Sequence, residues 1–488
     1  MRETTSPLGL FLILVLCGPG AADAVAQTPD PLIGAWTGAL SAAAGAKLRV
    51  VFNITVDSAG QRKVTMDSPD QGVKGIPVAS AELKDGTVTI SVPAVAGSYT
   101  GRMATDGKSI EGTWTQGPSS LPLRLEKAAG PVAGPARPQE PKEPLPYRVE
   151  EVTYPNPDAP GVTLSGTLTL PPSGGPFPAV VFVSGSGPQN RNEELLGHKP
   201  FLVLSDYLTR GGVAVLRYDD RGVGKSTGSF ATATSVDFAG DALAGVGYLK
   251  SRREIDAGKI GVLGHSEGGL IAPMAAVRSK DVAFIVMLAG PGVNGEEILY
   301  LQGELIARAN GATDEELAKT RQSQERTFTI LRQAPDTARA RQDIEALARQ
   351  QLAALTPEER KAASIPEGVA DSILARQQAA QVTSPWFRYF LTYDPTPTLR
   401  QVRVPVLAIN GSLDLQVPPS QNLPVIRKAL EEGGNPDATV LELAGLNHLF
   451  QEATTGAPSE YARIEQTMSP TALQTVGDWI LRRFGPSR

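Results

Sequence analysis

Continuous apolar runs at residues 179–183, 213–216, 260–263, 282–288 and 404–409 constrain this chain more than any other feature. Each is short and lacks polar alternation, which suits a strand covered on both faces rather than one with a wet side. The stretches between them carry helical spacing. In residues 236–250, for example, Phe238, Ala242, Val246 and Leu249 fall on one face. Alternating strands and helices over residues 147–488 predict a mostly parallel sheet with helices on both sides, a three-layer α/β sandwich. Residues 162–170 are expected to form an edge strand of that sheet.

The run at 260–263 leads into Gly264-His265-Ser266-Glu267-Gly268, followed by a helical stripe of Leu270, Pro273 and Ala276. A bare G-x-S-x-G string occurs by chance. Its place after a buried strand and before a helix is what a nucleophile elbow needs, because the turn is too tight for side chains beside the serine. The hydroxyl is then pushed out at the carboxyl end of the sheet, and the helix amino terminus behind it favours developing negative charge. A chance turn serine would have no need of that context.

A serine hydroxyl needs a general base, and the chain has only three histidines. His265 precedes the nucleophile inside the turn, so its ring is expected to point to another face and help pack it. His198 lies in an early loop and reads as structural or as a pocket-rim residue. His448 follows the strand-like stretch 439–443 on a late loop that can reach the carboxyl edge. The residue that orients the imidazole should follow a strand between serine and histidine, and Asp414, after 404–409, meets that demand. The order Ser266, Asp414, His448 is that of α/β-hydrolases. For the oxyanion, one donor is expected from the backbone N–H of Glu267. The second is expected from Ser186 in the Gly-rich loop 184–190, for which a plain glycine turn is the alternative.

Four segments carry a family resemblance: 183–189 with Ser184-Gly185-Ser186-Gly187, 218–224 with Asp219-Asp220-Arg221-Gly222, the serine elbow, and 445–451 with Asn447-His448-Leu449-Phe450. They resemble those of α/β-hydrolase carboxylesterases of the bacterial EstD type, which stand near dienelactone hydrolases and prolyl-oligopeptidase-like domains. The likeness runs over residues 147–487 and includes the segment 384–389. It implies a serine esterase on short acyl esters, with Ser266, Asp414 and His448 as its triad, and a β domain ahead of the catalytic one.

Residues 30–127 have a different texture, with short β-branched stretches between the turn pairs Asp85-Gly86 and Asp106-Gly107. This predicts a small antiparallel β domain. Trp36 and Trp114, in related Gly-x-Trp patterns near its start and end, are expected in its core and could mark first and last strands closing together. A proline-rich linker at 128–146 follows as an extended spacer. The long interval between the runs ending at 288 and starting at 404 reads as a helical cap at about 291–396, with helices at 295–310, 313–333 and 337–355. Within it Trp386, Tyr389, Phe390 and Tyr393 form an aromatic stripe. Trp386 and Tyr389 are the candidate substrate contacts, with simple packing as the alternative.

Residues 1–26 read as a secretory signal: the apolar run 8–17 is too short to span a bilayer, and Ala22-Asp23-Ala24 and Ala24-Val25-Ala26 offer cleavage sites. An uncleaved anchor is the alternative, and Leu16 before Cys17 argues against lipidation. The expectation is an exported bacterial protein, periplasmic or secreted, with no stable membrane span once the signal is cut. Cys17 is the only cysteine, so disulfide frameworks and cysteine zinc sites are excluded. A formal charge of -5 without blocks of like charge argues against nucleic acid. Gly224-Lys225-Ser226 is not a P-loop, since Asp219 stands where the first glycine belongs, and Glu194 with His198 lacks a second imidazole. No cofactor and no metal are expected; the partner is a small-molecule ester, and a homo-oligomer is left open. The leading expectation is a serine carboxylesterase. A serine peptidase or lactone/β-lactam hydrolase of the same fold is the enzymatic alternative, and a ligand-binding β-domain protein with a silent hydrolase the non-enzymatic one.

Overall fold

The computed structural model describes residues 30–485 apart from 42–46, 58–60, 70–72, 96, 117–118, 131–135, 358–359 and 361–369. The signal assigned to residues 1–26 lies outside the described residues. Nine antiparallel strands, β1 (Gly34–Ser41) to β9 (Ser119–Lys127), form the first sheet, in the order β4-β3-β2-β1-β9-β8-β7-β6-β5. Alternate residues such as Val50, Phe52 and Ile54 turn inward onto one core with Trp36, Tyr99 and Trp114. Asp85 and Gly86 both have positive φ, as the tight hairpin between Ser80–Lys84 and Thr87–Val92 requires. First and last strands do pair, through Trp36 opposite Lys127. Trp114, however, sits one strand earlier, on β8 (Ser109–Gln116).

The linker is laid partly on the catalytic unit. The Arg137 guanidinium donates to the carbonyls of Leu196, Gly197, Ala462 and Ile464.

The second sheet has eight strands: β10 (Arg148–Pro155), β11 (Thr163–Leu170), β12 (Phe177–Val183), β13 (Ala214–Tyr218), β14 (Ile255–His265), β15 (Phe284–Leu288), β16 (Val406–Gly411) and β17 (Ala438–Leu443). Their order is β10-β11-β13-β12-β14-β15-β16-β17, with β11 antiparallel to both neighbours and the pairs from β13 onward parallel. The edge is therefore β10, with the expected edge strand second. β10 escapes a search for apolar runs because only Val152 and Tyr154 are buried among its polar residues.

Both faces of the parallel strands are covered. On β12, Ala179, Val181 and Val183 join the cluster built with α2 (Ser235–Lys250), α3 (Glu267–Arg278) and helix Pro419–Glu432. Val180 and Phe182 join the opposite cluster, built with α1 (Pro200–Arg210) and helix Pro470–Phe484. The chain leaves β12 for β13 on one side and returns to β14 on the other. That reversal opens a crevice at the carboxyl ends of β12 and β14. Between β15 and β16 the cap contributes α4 (Gly295–Ala309), α5 (Asp314–Gln333), α6 (Thr337–Ala354) and helices Asp371–Val382 and Pro385–Thr392. Its own small core joins Phe328, Leu331, Ile344 and Leu391. No helix among the described residues is long and apolar enough to cross a membrane.

Candidate active site

β14 delivers Ser266 onto the turn into α3 with φ 53° and ψ −117°, a left-handed conformation that costs a non-glycine residue free energy. Neighbouring backbone enforces it. A Cβ on Gly264 would lie 1.9 Å from the Gly268 carbonyl oxygen, and one on Gly268 would lie 2.1 Å from that of Val183. Only glycine lets strand, turn and helix approach so closely. The Ser266 N–H donates to the Leu288 carbonyl at 2.8 Å, pinning the turn to the neighbouring strand.

His448 and Asp414 come from the loops after β17 and β16. Asp414 Oδ2 lies 2.9 Å from His448 Nδ1, and both side chains are buried. Asp414 Oδ1 accepts the N–H groups of Gln416 at 2.8 Å and Val417 at 2.9 Å, so the carboxylate is held at both ends. A carboxylate accepts, hence Nδ1 carries a hydrogen and Nε2 is left as the basic nitrogen. Ser266 and His448 line the same cavity.

Of the other two imidazoles, only His265 lines that cavity. His198 is fully buried against Thr467, Tyr461 and Gln451, and burial pushes its pKa down to about 4. It is a packing residue. His265 lies with its ring 4.8 Å from that of His448, Nε2 donating to the His448 carbonyl and Nδ1 facing Glu193. The ring does not point to another face as expected: Glu193 and the His448 carbonyl hold it at the cavity wall beside the base, and no sequence pattern marked Glu193.

The cavity has a volume of about 300 Å³. Ile298, Leu299, Trp386 and Phe390 give it apolar walls, and Ser186, Gln189, Glu193 and Glu267 are among its polar lining. Glu267 opens α3, so its backbone N–H is among the donors that a helix start leaves without an intrahelical partner. Its side chain is buried and accepts from the Ser235 hydroxyl at 2.6 Å and the Trp386 indole at 2.8 Å. Burial raises the Glu267 pKa, opposed by hydrogen bonds from Ser235, Trp386 and Ser186. Ser186 stands on the loop after β12, where Gly185 donates its N–H to Glu193.

Of the two aromatic candidates, Trp386 lines the cavity and Tyr389 does not. Helical spacing separates them. Trp386 stacks on Phe390 one turn on, while Tyr389 belongs to the next stripe and stacks on Tyr393 at 5.2 Å.

The reversal of strand order at β12, the strained serine between β14 and α3, and an Asp–His pair on later carboxyl-end loops define an α/β-hydrolase. Residues 160–439 match the family model described as X-Pro dipeptidyl-peptidase (S15 family), and the chain belongs to that family. It is 35% identical to Esterase EstD of Thermotoga maritima over 163 residues, 32% of this chain and 39% of that one. It is 29% identical to the human mitochondrial acyl-coenzyme A thioesterase 2 over 143 residues, 29% of this chain and 26% of that one. These matches therefore span well under half the length of either relative. A solved Pyrococcus furiosus esterase, Pf2001, aligns with a TM-score of 0.43 at 18% identity, covering 73% of this chain and 97% of its own.

Proposed function

We propose that the protein is a serine carboxylesterase acting on short, uncharged acyl esters through an acyl-enzyme on Ser266. His448 Nε2 takes the serine proton as the hydroxyl attacks the ester carbonyl, and Asp414 orients the ring and stabilises its cation. The N–H groups of Glu267 and Ser186 receive the oxyanion. His448 then protonates the leaving alcohol, and water repeats the cycle on the acyl-enzyme.

The observation that carries the reading is His448, held by the clamped Asp414, in one cavity with a serine in a strained elbow. A volume of about 300 Å³ lies at the small end of ligand pockets and supports a short substrate. The lining carries neither lysine nor arginine among the described residues, so no such side chain is at hand to pair with an anionic substrate. The family match supports a second reading, amide cleavage. Turnover of p-nitrophenyl butyrate by the parent, abolished in Ser266→Ala, is the expected result. Faster turnover of an Xaa-Pro p-nitroanilide would favour the peptidase reading, and equal ester turnover by Ser266→Ala would end both. We also take residues 1–26 to be an export signal, and a mature amino terminus at Gln27 would support this.

A further inference from the structure

Glu193 and His265 are buried beside the triad and take no part in the proton transfers proposed above. Glu193 Oε1 accepts the Gly185 N–H at 2.6 Å, and the same oxygen lies 2.9 Å from His265 Nδ1. The other ring nitrogen, Nε2, lies 2.9 Å from the His448 carbonyl oxygen. A carbonyl can only accept, so Nε2 carries a hydrogen. The Nδ1–Oε1 contact needs a hydrogen too, or two lone pairs would face each other. A proton on Oε1 would leave the short Gly185 N–H contact on a hydroxyl oxygen, a weaker acceptor than a carboxylate oxygen. A proton on Oε2, which is buried without a protein partner, would leave Nδ1 unsupplied. The arrangement that gives both N–H groups at Oε1 a charged acceptor has both hydrogens on the ring.

We propose that Glu193 and His265 form a buried carboxylate–imidazolium pair that positions the two loops serving Ser266. The carboxylate holds the loop after β12 by Gly185, next to the oxyanion donor Ser186. The imidazolium holds the loop of the base by the His448 carbonyl. The fit is close: a Cβ on Gly185 would lie 3.1 Å from Glu193 Oε1 and 3.2 Å from Ser266 Cβ. Burial opposes the charge on His265, and the Glu193 carboxylate, helped by the His448 carbonyl and by Asp414, outweighs it. Glu193, the His448 ring at 4.8 Å and Asp414 are the titratable groups that face the imidazole. Neither Glu193 nor His265 needs to touch substrate for this role, so both are positioning residues. The kinetic consequence rests on the esterase reading; the charge state does not.

Two measurements on the full chain test the pair. With only three histidines, ¹⁵N-histidine spectra can be assigned by single substitutions. Both ring nitrogens of His265 should be protonated at pH 7.5 in the parent and in Ser266→Ala, and its ring should become neutral in Glu193→Gln. A neutral His265 in the parent overturns the pair, whatever the enzyme does. In steady-state assays with p-nitrophenyl butyrate, the near-isosteric Glu193→Gln should lose roughly 10- to 100-fold in kcat, with KM within about threefold. That is less than the roughly 100- to 1,000-fold typical of removing an oxyanion donor outright. A folded Glu193→Gln with parental kcat overturns the positioning role, because packing alone would tolerate the amide. Should that variant not fold, the parent spectrum still decides. An inactive parent with a charged His265 would sink the esterase reading and leave the pair standing.

Discussion

Asp414→Asn separates shape from charge at the proposed triad. Asp414 Oδ1 accepts two backbone N–H groups, from Gln416 and Val417, and Oδ2 faces His448 Nδ1 at 2.9 Å. Asparagine has nearly the same volume, so the loop should keep its form. Its oxygen must stay toward the two N–H groups, since turning the amide nitrogen there would strand two buried donors at about 1–3 kcal/mol each. The amide nitrogen is then directed at His448 Nδ1 and donates to it. That selects the tautomer with hydrogen on Nε2, which cannot take the serine proton. The same exchange in a serine protease lowers kcat about 10⁴-fold, equivalent to about 5.4 kcal/mol of transition-state stabilisation. We expect a fall of about 10³- to 10⁴-fold, by analogy with that case. The assay is kcat and KM for p-nitrophenyl butyrate with a thermal midpoint measured on the same sample. A variant that stays folded and keeps kcat within tenfold of the parent would refute the assigned role of Asp414.

Trp386→Ala removes one apolar wall of the cavity and the indole donor to Glu267, so activity on longer acyl chains should rise relative to butyrate. An unchanged ratio of p-nitrophenyl octanoate to butyrate turnover would remove Trp386 from the pocket's specificity. Gly268→Ala forces a Cβ to within 2.1 Å of the Val183 carbonyl oxygen; overpacking of this kind typically costs about 1–3 kcal/mol or more. Thermal midpoint and kcat should both drop, and parental values for both would contradict the packing described for the elbow. His198 titrates at about 4 in the folded chain against a usual value of 6.5, so the unfolded chain binds more protons between those values. Its contribution is therefore present above about pH 6.5 and lost as pH falls toward 4, by about 3 kcal/mol at most. Denaturant unfolding at several pH values should give a shallower acid slope for His198→Gln than for the parent, and equal slopes would show that His198 is not the acid-sensitive group.

The central part of the fold was readable because burial on both faces leaves a plain mark: continuous apolar runs at β12, β14, β15 and β16. β10 left no such mark, since its outer face is polar, and its pairing with β11 depends on partners distant in sequence. At the candidate site, Ser266 was legible from local strain, which demands glycines at fixed offsets. Asp414 and His448 followed from strand order and the scarcity of imidazoles. Glu193 was invisible because its partners, Gly185 and His265, are joined to it only by the fold. Tyr389 shows the opposite failure. Helical spacing put it in one stripe with Trp386, Phe390 and Tyr393, but the four side chains form two stacks, and which of them faces the cavity depends on how helix Pro385–Thr392 is rotated against Glu267.

Covalent capture of the nucleophile tests the central claim most directly. The parent, His448→Ala and Ser266→Ala should each be treated with a fluorophosphonate probe and the adduct located by peptide mass spectrometry. The account requires a single stoichiometric adduct on Ser266 in the parent, a strongly slowed reaction in His448→Ala and none in Ser266→Ala. An adduct on another serine, or labelling of Ser266→Ala at the parental rate, would contradict it.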